Sequence, residues 1–353
     1  MNTTNTTWGL LGVGTIGGEV LRQVNQPAVA ERLGLETAPS FIIRSSGTWK
    51  PGADGELVQV GDGSLESLDS LPLPKVVFNA LPSTGDGRSS ELMAYFLKKG
   101  VLVVTAEKAA LAYEFSKLKT LSENFKRMGI NAAVGGGTRP LSAGRSHFQD
   151  LDNVSQVHMT LNGTVSQIMS AVASGATPEA AVQEAIALGY AEPGATDPAT
   201  VFQQELEGDV PKKLAIFMNV FGFGQEISPN ELSFKLDKAA VEEALQAAKD
   251  YRFIVSIYGP AFRAVEGKID EGILGKFTFE HDGWQIVGGF RQLSANPLFM
   301  EFATLQGPGN CCLVGLGKNE EDGVNVFAKG PGAGPHATVN TMLDDYLTLK
   351  LTN

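Results

Sequence analysis

The sequence predicts an α/β fold, with an N-terminal doubly wound sheet of parallel strands followed by a second unit of α+β type. Three features carry that prediction. Short apolar runs alternate with stretches of helical period up to about residue 130. A glycine-rich turn joins the first apolar run to the first helix. Beyond a second glycine cluster, Ala133-Val134-Gly135-Gly136-Gly137, helices are followed by a run of strands. Strands separated by helices and short turns favour parallel pairing, because a parallel connection needs a crossover.

The first strand opens at Trp8-Gly9-Leu10-Leu11, and after Gly12-Val13-Gly14-Thr15-Ile16-Gly17 a helical pattern runs through Glu19–Val24. Further strands are expected at Phe41-Ile42-Ile43, at Val76–Leu81 before the turn Pro82-Ser83-Thr84-Gly85, and at Val101–Thr105 after a helix over Glu91–Lys99. In the second unit a strand is expected at Val154–Leu161 and helices at Val165–Ala173, Pro178–Leu188 and Lys212–Phe221. Strands follow at Arg252–Tyr258, Gly275–Glu280 and Ala303–Leu305, and Gly330-Pro331-Gly332-Ala333-Gly334 precedes a helix from His336 to Leu349. The polarity periods behind these assignments are two residues for strands and 3.6 for helices.

Composition narrows the function. Lysine and arginine number 28 against 39 acidic residues, a net charge of −11. Such a surface repels nucleic acid and anionic membranes. No apolar run approaches the roughly 18 residues of a spanning helix, and Met1–Thr7 lacks the basic flank of a secretory signal, so a cytoplasmic protein is expected. The two cysteines, Cys311 and Cys312, are adjacent, which excludes a disulfide framework or zinc knuckle and suits small core residues. His147, His158, His281 and His336 lack ligand spacing, so no catalytic transition metal is expected.

Gly12-Val13-Gly14-Thr15-Ile16-Gly17 matches G-x-G-x-x-G between a strand and a helix. In a Rossmann-type unit such glycines let the backbone approach a pyrophosphate held at the helix N-terminus; a purely structural turn is the alternative. The second strand ends in Arg44-Ser45-Ser46, with Lys50 nearby, where a carboxylate would select NAD. A guanidinium and hydroxyls favour the 2′-phosphate of NADP, although a solvated strand-end arginine has the same sequence. Asp209 and Lys213 lie four residues apart, at the expected start of a helix with Pro211 in its first turn. There the carboxylate would orient the amine, and the helix dipole would disfavour its charge; a surface ion pair is the plainer alternative. Glu192, in the loop Gly189-Tyr190-Ala191-Glu192-Pro193, offers a carboxylate for a substrate ammonium group, a solvated loop glutamate being the plainer alternative.

Taken in order, the glycine turn, Thr105-Ala106-Glu107-Lys108, Val134–Gly137, Leu161-Asn162-Gly163-Thr164, Leu188–Pro193, Gly208-Asp209 through Lys213-Leu214-Ala215-Ile216, and Gly330–Gly334 with Thr338 and Asp344 resemble the homoserine dehydrogenase family. The resemblance spans nearly the whole chain. It implies reversible hydride transfer between L-homoserine and L-aspartate 4-semialdehyde with NADP, NAD being the alternative. It implies Lys213 as proton donor and acceptor, Asp209 beside it, and Lys108 near both nicotinamide and substrate. Glu192, Tyr190, Gly163, Thr164 and Glu205 would hold the amino acid. Gly12, Gly14, Thr15, Ile16, Gly17, Arg44, Ser45, Ser46, Leu81, Ser83, Lys108 and Gly334 would contact the cofactor. Sodium would take oxygens at Asn131, Val134, Gly136 and Thr138. A nucleotide-binding domain over 1–130, joined by segment 330–353, and a substrate-binding and dimerisation domain over 131–329 are implied, with a homodimer as the assembly.

The sequence departs from the family pattern at several places. Glu107 stands where Asn is usual, Asn131 where the cation loop begins with Glu, and Arg139 where a shorter apolar turn is usual. One residue is missing before Asp209, leaving Glu205 to fill the preceding acidic slot. These departures keep open a relative acting on another small hydroxy- or oxo-amino acid, or a non-catalytic NADP-binding protein. Thioester chemistry of the semialdehyde dehydrogenase kind needs a mid-chain nucleophilic cysteine, and none precedes Cys311. The chain has no room for a threonine-sensing C-terminal domain, so insensitivity to threonine is expected.

Overall fold

The computed structural model describes residues 5–52, 56–191, 194, 197–260, 272–316 and 324–353. The chain divides into two compact units, Met1–Ala133 with Pro335–Asn353, and Val134–Gly334.

The first unit is built on a seven-stranded sheet of order β4-β3-β2-β1-β5-β6-β7. Its strands are β1 (Trp8–Leu11), β2 (Phe41–Arg44), β3 (Gly47–Pro51), β4 (Leu57–Gly61), β5 (Val76–Asn79), β6 (Leu102–Thr105) and β7 (Met128–Gly129). β2, β1, β5, β6 and β7 pair in parallel, as their alternation with helices requires. The sheet is not parallel throughout, because β2 turns directly through Ser45-Ser46 into antiparallel β3, and β4 continues the meander. β1 and β5 are buried along their whole length, as expected of central strands covered on both faces. The C-terminal helix, Pro335–Thr352, longer at both ends than expected, lies on one face. Val339, Met342, Leu343 and Tyr346 pack there with Val20 and Val24 of helix Thr15–Val24 against Trp8, Leu10 and Phe78. That burial assigns the last segment of the chain to the first unit.

The second unit is a six-stranded antiparallel sheet of order β10-β11-β9-β8-β12-β13. Its strands are β8 (Val154–Met159), β9 (Tyr251–Tyr258), β10 (Leu274–His281), β11 (Trp284–Gln292), β12 (Gly309–Leu316) and β13 (Val324–Pro331). Cys311 and Cys312 are fully buried in β12, in line with their reading as core residues. The strand expected at Ala303–Leu305 does not form; Ala303 ends the helical turn Met300–Ala303, and Phe302 and Leu305 join a core cluster with Phe299. Three apolar residues fit either element, and packing chose the helical one.

A larger correction concerns Lys212–Phe221. It is the second half of a 24-residue helix, Pro198–Phe221. Asp197 caps its start by accepting from Thr200 N–H, Pro198 occupies the first turn, and Gly222 in the left-handed conformation closes it. Pro211 lies inside the helix, where burial of Phe202, Leu206, Val210, Leu214 and Phe217 outweighs its missing N–H. At the far end Phe148 packs against Phe217, Phe221, Phe223 and Phe327, with ring centroids 4.6 to 5.5 Å apart. Among the described residues no helix is long and apolar enough to cross a membrane.

Candidate active site

In the first unit two glycines of the turn answer to different steric demands. Gly12 has φ +88°, and a Cβ there would lie 2.7 Å from the Ala80 carbonyl oxygen. Gly17 packs so closely that a Cβ would lie 2.0 Å from Gly12 O. Gly14 differs, because a Cβ there would meet nothing within 4 Å. Gly14 is also the N-cap of helix Thr15–Val24, with no side-chain cap and no acidic residue in the first turn. Space is therefore open beside an uncapped helix start, the setting in which such turns accept a pyrophosphate. Thr15 and Ile16 supply the first two helical N–H groups of that cradle.

Arg44 ends β2 beside this turn, where Gly12 N–H donates to Ile43 O at 2.9 Å. Its guanidinium lies over the Trp49 ring, 5.5 Å from the centroid, while Ser45 and Ser46 are exposed in the hairpin turn. At the end of β5, Asn79 donates to Ser89 Oγ (2.9 Å) and Thr105 Oγ1 (3.1 Å) and accepts from Leu81 N–H (3.3 Å). Ser83 Oγ accepts from Lys108 N–H at 3.1 Å, so the turns after β5 and β6 are tied together. Glu107 is 2% exposed, and its carboxylate accepts from Ala109 N–H (2.6 Å) and Ala110 N–H (2.9 Å). The departure from Asn thus places a carboxylate on the N-terminus of helix Ala109–Tyr113, where the dipole favours it. A shallow cleft of about 60 Å³ opens at the carboxyl ends of β5 and β6, lined in part by Pro82, Thr84, Ser89, Glu107 and Tyr113.

Asn131, also in the first unit, gives both its backbone N–H and its Nδ2 to the carboxylate of Asp345, while its buried Oδ1 has no hydrogen-bond partner among the described residues. In the second unit Val134 and Gly136 are buried, Gly136 with φ +51°, and Thr138 Oγ1 donates to Gly330 O at 3.0 Å. Arg139 has φ +56°, a left-handed conformation uncommon outside glycine.

The second unit brings together residues far apart in sequence. Glu205, Asp209 and Lys213 stand four apart on one face of helix Pro198–Phe221. Lys213 is 7% exposed; its Nζ donates to Leu161 O at 2.6 Å and pairs with Asp209 Oδ2 at 2.5 Å. It sits in the helix interior, so the dipole of a first turn has no part in its environment, contrary to expectation. Asn162 Nδ2 donates to Glu205 Oε2 (2.9 Å) and to Asp209 Oδ2 (3.2 Å), and Asn162 Oδ1 caps helix Gly163–Ala173 through Val165 N–H. The four-residue step from Glu205 to Asp209 therefore keeps both carboxylates on one partner despite the missing residue. Thr164 Oγ1 donates to Tyr190 O at 2.7 Å. A Cβ on Gly163 would lie 2.6 Å from Ala333 Cβ, and one on Gly334 would lie 3.3 Å from the Tyr190 ring. The Gly163-Thr164 turn, Tyr190 and the Gly332–Gly334 segment therefore pack as one cluster. Glu192 lies outside the described residues. Asn162 and the Leu161 carbonyl were not singled out from sequence, although an Asn before Gly-Thr at a helix start is an N-cap signal.

A sheet with a three-glycine turn at its first crossover, joined to an α+β unit carrying a carboxylate–lysine helix, defines a two-unit α/β protein of the dinucleotide-binding class. The model of the homoserine dehydrogenase family matches residues 140–347. The chain belongs to that family. An NAD(+)-dependent homoserine dehydrogenase of Pseudomonas canavaninivorans is 24% identical over 292 residues, 80% of this chain and 78% of the relative. The bifunctional aspartokinase/homoserine dehydrogenase 2 of Zea mays is 24% identical over 366 residues, 97% of this chain, which spans 38% of that relative's length. Among solved structures, a homoserine dehydrogenase from Thermoplasma acidophilum aligns with a TM-score of 0.69 and 21% identity over 98% of this chain and 99% of its own. A hyperthermophilic archaeal homoserine dehydrogenase in complex with NADPH aligns with a TM-score of 0.65 and 20% identity, covering 99% and 98%. These likenesses establish the fold.

Proposed function

We propose that the chain is an NAD(P)-dependent homoserine dehydrogenase that interconverts L-homoserine and L-aspartate 4-semialdehyde, with Lys213 as the acid–base group. The observation that carries this reading is the Lys213 amine, nearly buried and fixed by Asp209 and the Leu161 carbonyl. A proton carrier in such a place has one orientation and limited access to water, as general acid–base work requires. In aldehyde reduction Nζ gives its proton to the carbonyl oxygen, and in alcohol oxidation it takes the hydroxyl proton. Asp209 orients the amine. By the family resemblance, Glu205, Tyr190, Gly163, Thr164 and Glu192 are assigned to the amino-acid end, and Lys108 is assigned a role toward nicotinamide and substrate. A nicotinamide dinucleotide, when bound, would supply the hydride chemistry.

The fit of the cofactor rests on the open face at Gly14 and the uncapped helix behind it. Arg44 with exposed Ser45 and Ser46, and no carboxylate at the end of β2, support NADP over NAD. Sodium rests on the family resemblance and on the buried Oδ1 of Asn131; rates in sodium against potassium salts test it.

The test is reduction of NADP, and separately of NAD, by the purified chain with L-homoserine, read by the absorbance of the reduced cofactor. Turnover with a higher kcat/KM for NADP is expected. Absence of turnover with either cofactor overturns the activity. Turnover only with a longer hydroxy-amino acid moves the substrate and keeps the reaction class.

A further inference from the structure

We propose that Asn162 is a positioning residue for Lys213: its side-chain amide ties the two carboxylates of the long helix to the turn whose carbonyl holds the amine. The proposal rests on the reading of Lys213 as the acid–base group. Five contacts place it. Asn162 Nδ2 donates to Glu205 Oε2 at 2.9 Å and Asp209 Oδ2 at 3.2 Å. Asp209 Oδ2 also pairs with Lys213 Nζ, 2.5 Å away. The neighbouring residue, Leu161, accepts from the same Nζ at 2.6 Å. Asn162 Oδ1 accepts from Val165 N–H at 2.8 Å and so anchors the amide to helix Gly163–Ala173.

The physical need is clear from the charges. Two carboxylates one helical turn apart repel, and a neutral amide with two N–H donors can satisfy both without adding charge. Asn162 is 5% exposed, so water does not readily replace it. With the amide gone, Asp209 and Glu205 lose a shared donor, and the carboxylate beside the amine is held less firmly. Displacement of a reacting group by about 1 Å is enough to cost about 100-fold in rate. An asparagine serves here where aspartate, an equally good N-cap, would place a third negative charge on the pair.

That distinction supplies the test, because capping and bridging can be separated. Asn162→Ser keeps an oxygen able to cap Val165 but has no donor long enough to span both carboxylates. Asn162→Asp keeps the cap and the shape and reverses the donor. Both variants are expected to lose about 10- to 100-fold in kcat with L-homoserine. Asn162→Ser is expected to keep its Tm within a few degrees of the parent and its affinity for NADP unchanged. A second readout does not depend on turnover. Acetic anhydride labelling of Lys213, followed by mass spectrometry, should rise several-fold in Asn162→Ser because the amine is less firmly held. A parent chain inactive with L-homoserine would sink the proposed activity, while the labelling ratio would still decide the clamp. A kcat within about twofold of the parent together with unchanged labelling overturns the inference. So does a loss of activity that comes with a collapse of Tm and of cofactor binding, since that marks a merely structural role.

Discussion

Replacing Lys213 by Met removes the ammonium and keeps an unbranched side chain of similar volume. The ammonium has two partners, Leu161 O at 2.6 Å and Asp209 Oδ2 at 2.5 Å, and the residue is 7% exposed. Leaving a buried carbonyl without its donor costs about 1–3 kcal/mol. Asp209 also loses its counter-charge, and its side chain is only 17% exposed, so leaving that carboxylate unpaired brings the combined cost to about 3–5 kcal/mol. The extra apolar burial of Met returns about 1 kcal/mol. The expected net destabilisation is therefore about 2–4 kcal/mol, within the stability of an ordinary domain. The chemical loss is read separately: without a positioned proton carrier, kcat should fall about 10²- to 10⁴-fold, equivalent to about 3–5 kcal/mol in the barrier. Urea unfolding measures the first quantity, and NADP-linked oxidation of L-homoserine measures the second. NADP affinity, followed by fluorescence titration, should not change. A variant that folds, binds NADP and turns over within about threefold of the parent would refute the role given to Lys213.

Other perturbations test separate parts of the structure. Gly17→Ala puts a methyl group 2.0 Å from Gly12 O, so helix Thr15–Val24 must move away from β1. A stability loss of about 1–3 kcal/mol and at least tenfold weaker NADP binding are expected by urea unfolding and titration calorimetry. Gly14→Ala meets no neighbour and should leave stability almost unchanged while weakening NADP binding, so equal effects of the two substitutions would contradict the cradle. Burial pushes His158 down to about 3, with the Arg291 charge adding to the effect. The unfolded chain protonates this histidine near pH 6.5 and the folded chain does not, so its contribution to stability is lost as pH falls below 6.5. Between pH 7 and 5 that amounts to about 2 kcal/mol, which His158→Gln should remove from the acid dependence of the urea midpoint. Burial raises Cys311 to about 11 and Cys312 well above its ordinary value, so neither thiol should react with iodoacetamide at pH 8 until the chain is unfolded. Rapid labelling of the native protein would contradict their place in β12.

Where the sequence reading met the structure, success and failure follow the range of the interactions. The strand at Phe41 and the helix at Pro178 were legible from short windows, because period, proline and glycine act over a few residues. The helix boundary at Lys212 was misplaced although Asp197, Pro198 and Gly222 mark the true ends. Pro211 carries the same local signal as a first-turn proline, and only the buried face running through it shows that the helix continues. The hairpin of β2 and β3 was missed for a related reason: Ser45-Ser46-Gly47 reads equally as the end of a strand or as its reversal.

Residue order alone determined the glycine turn, the likeness to homoserine dehydrogenases and the four-residue step from Asp209 to Lys213, since each depends on neighbours in the chain. Only the tertiary structure decided that the Lys213 amine is enclosed, that Leu161 holds it and that Asn162 joins Glu205 to Asp209. Those partners lie 43 to 52 positions apart in sequence. Their meeting depends on packing the whole antiparallel unit around the long helix, and no local period encodes it.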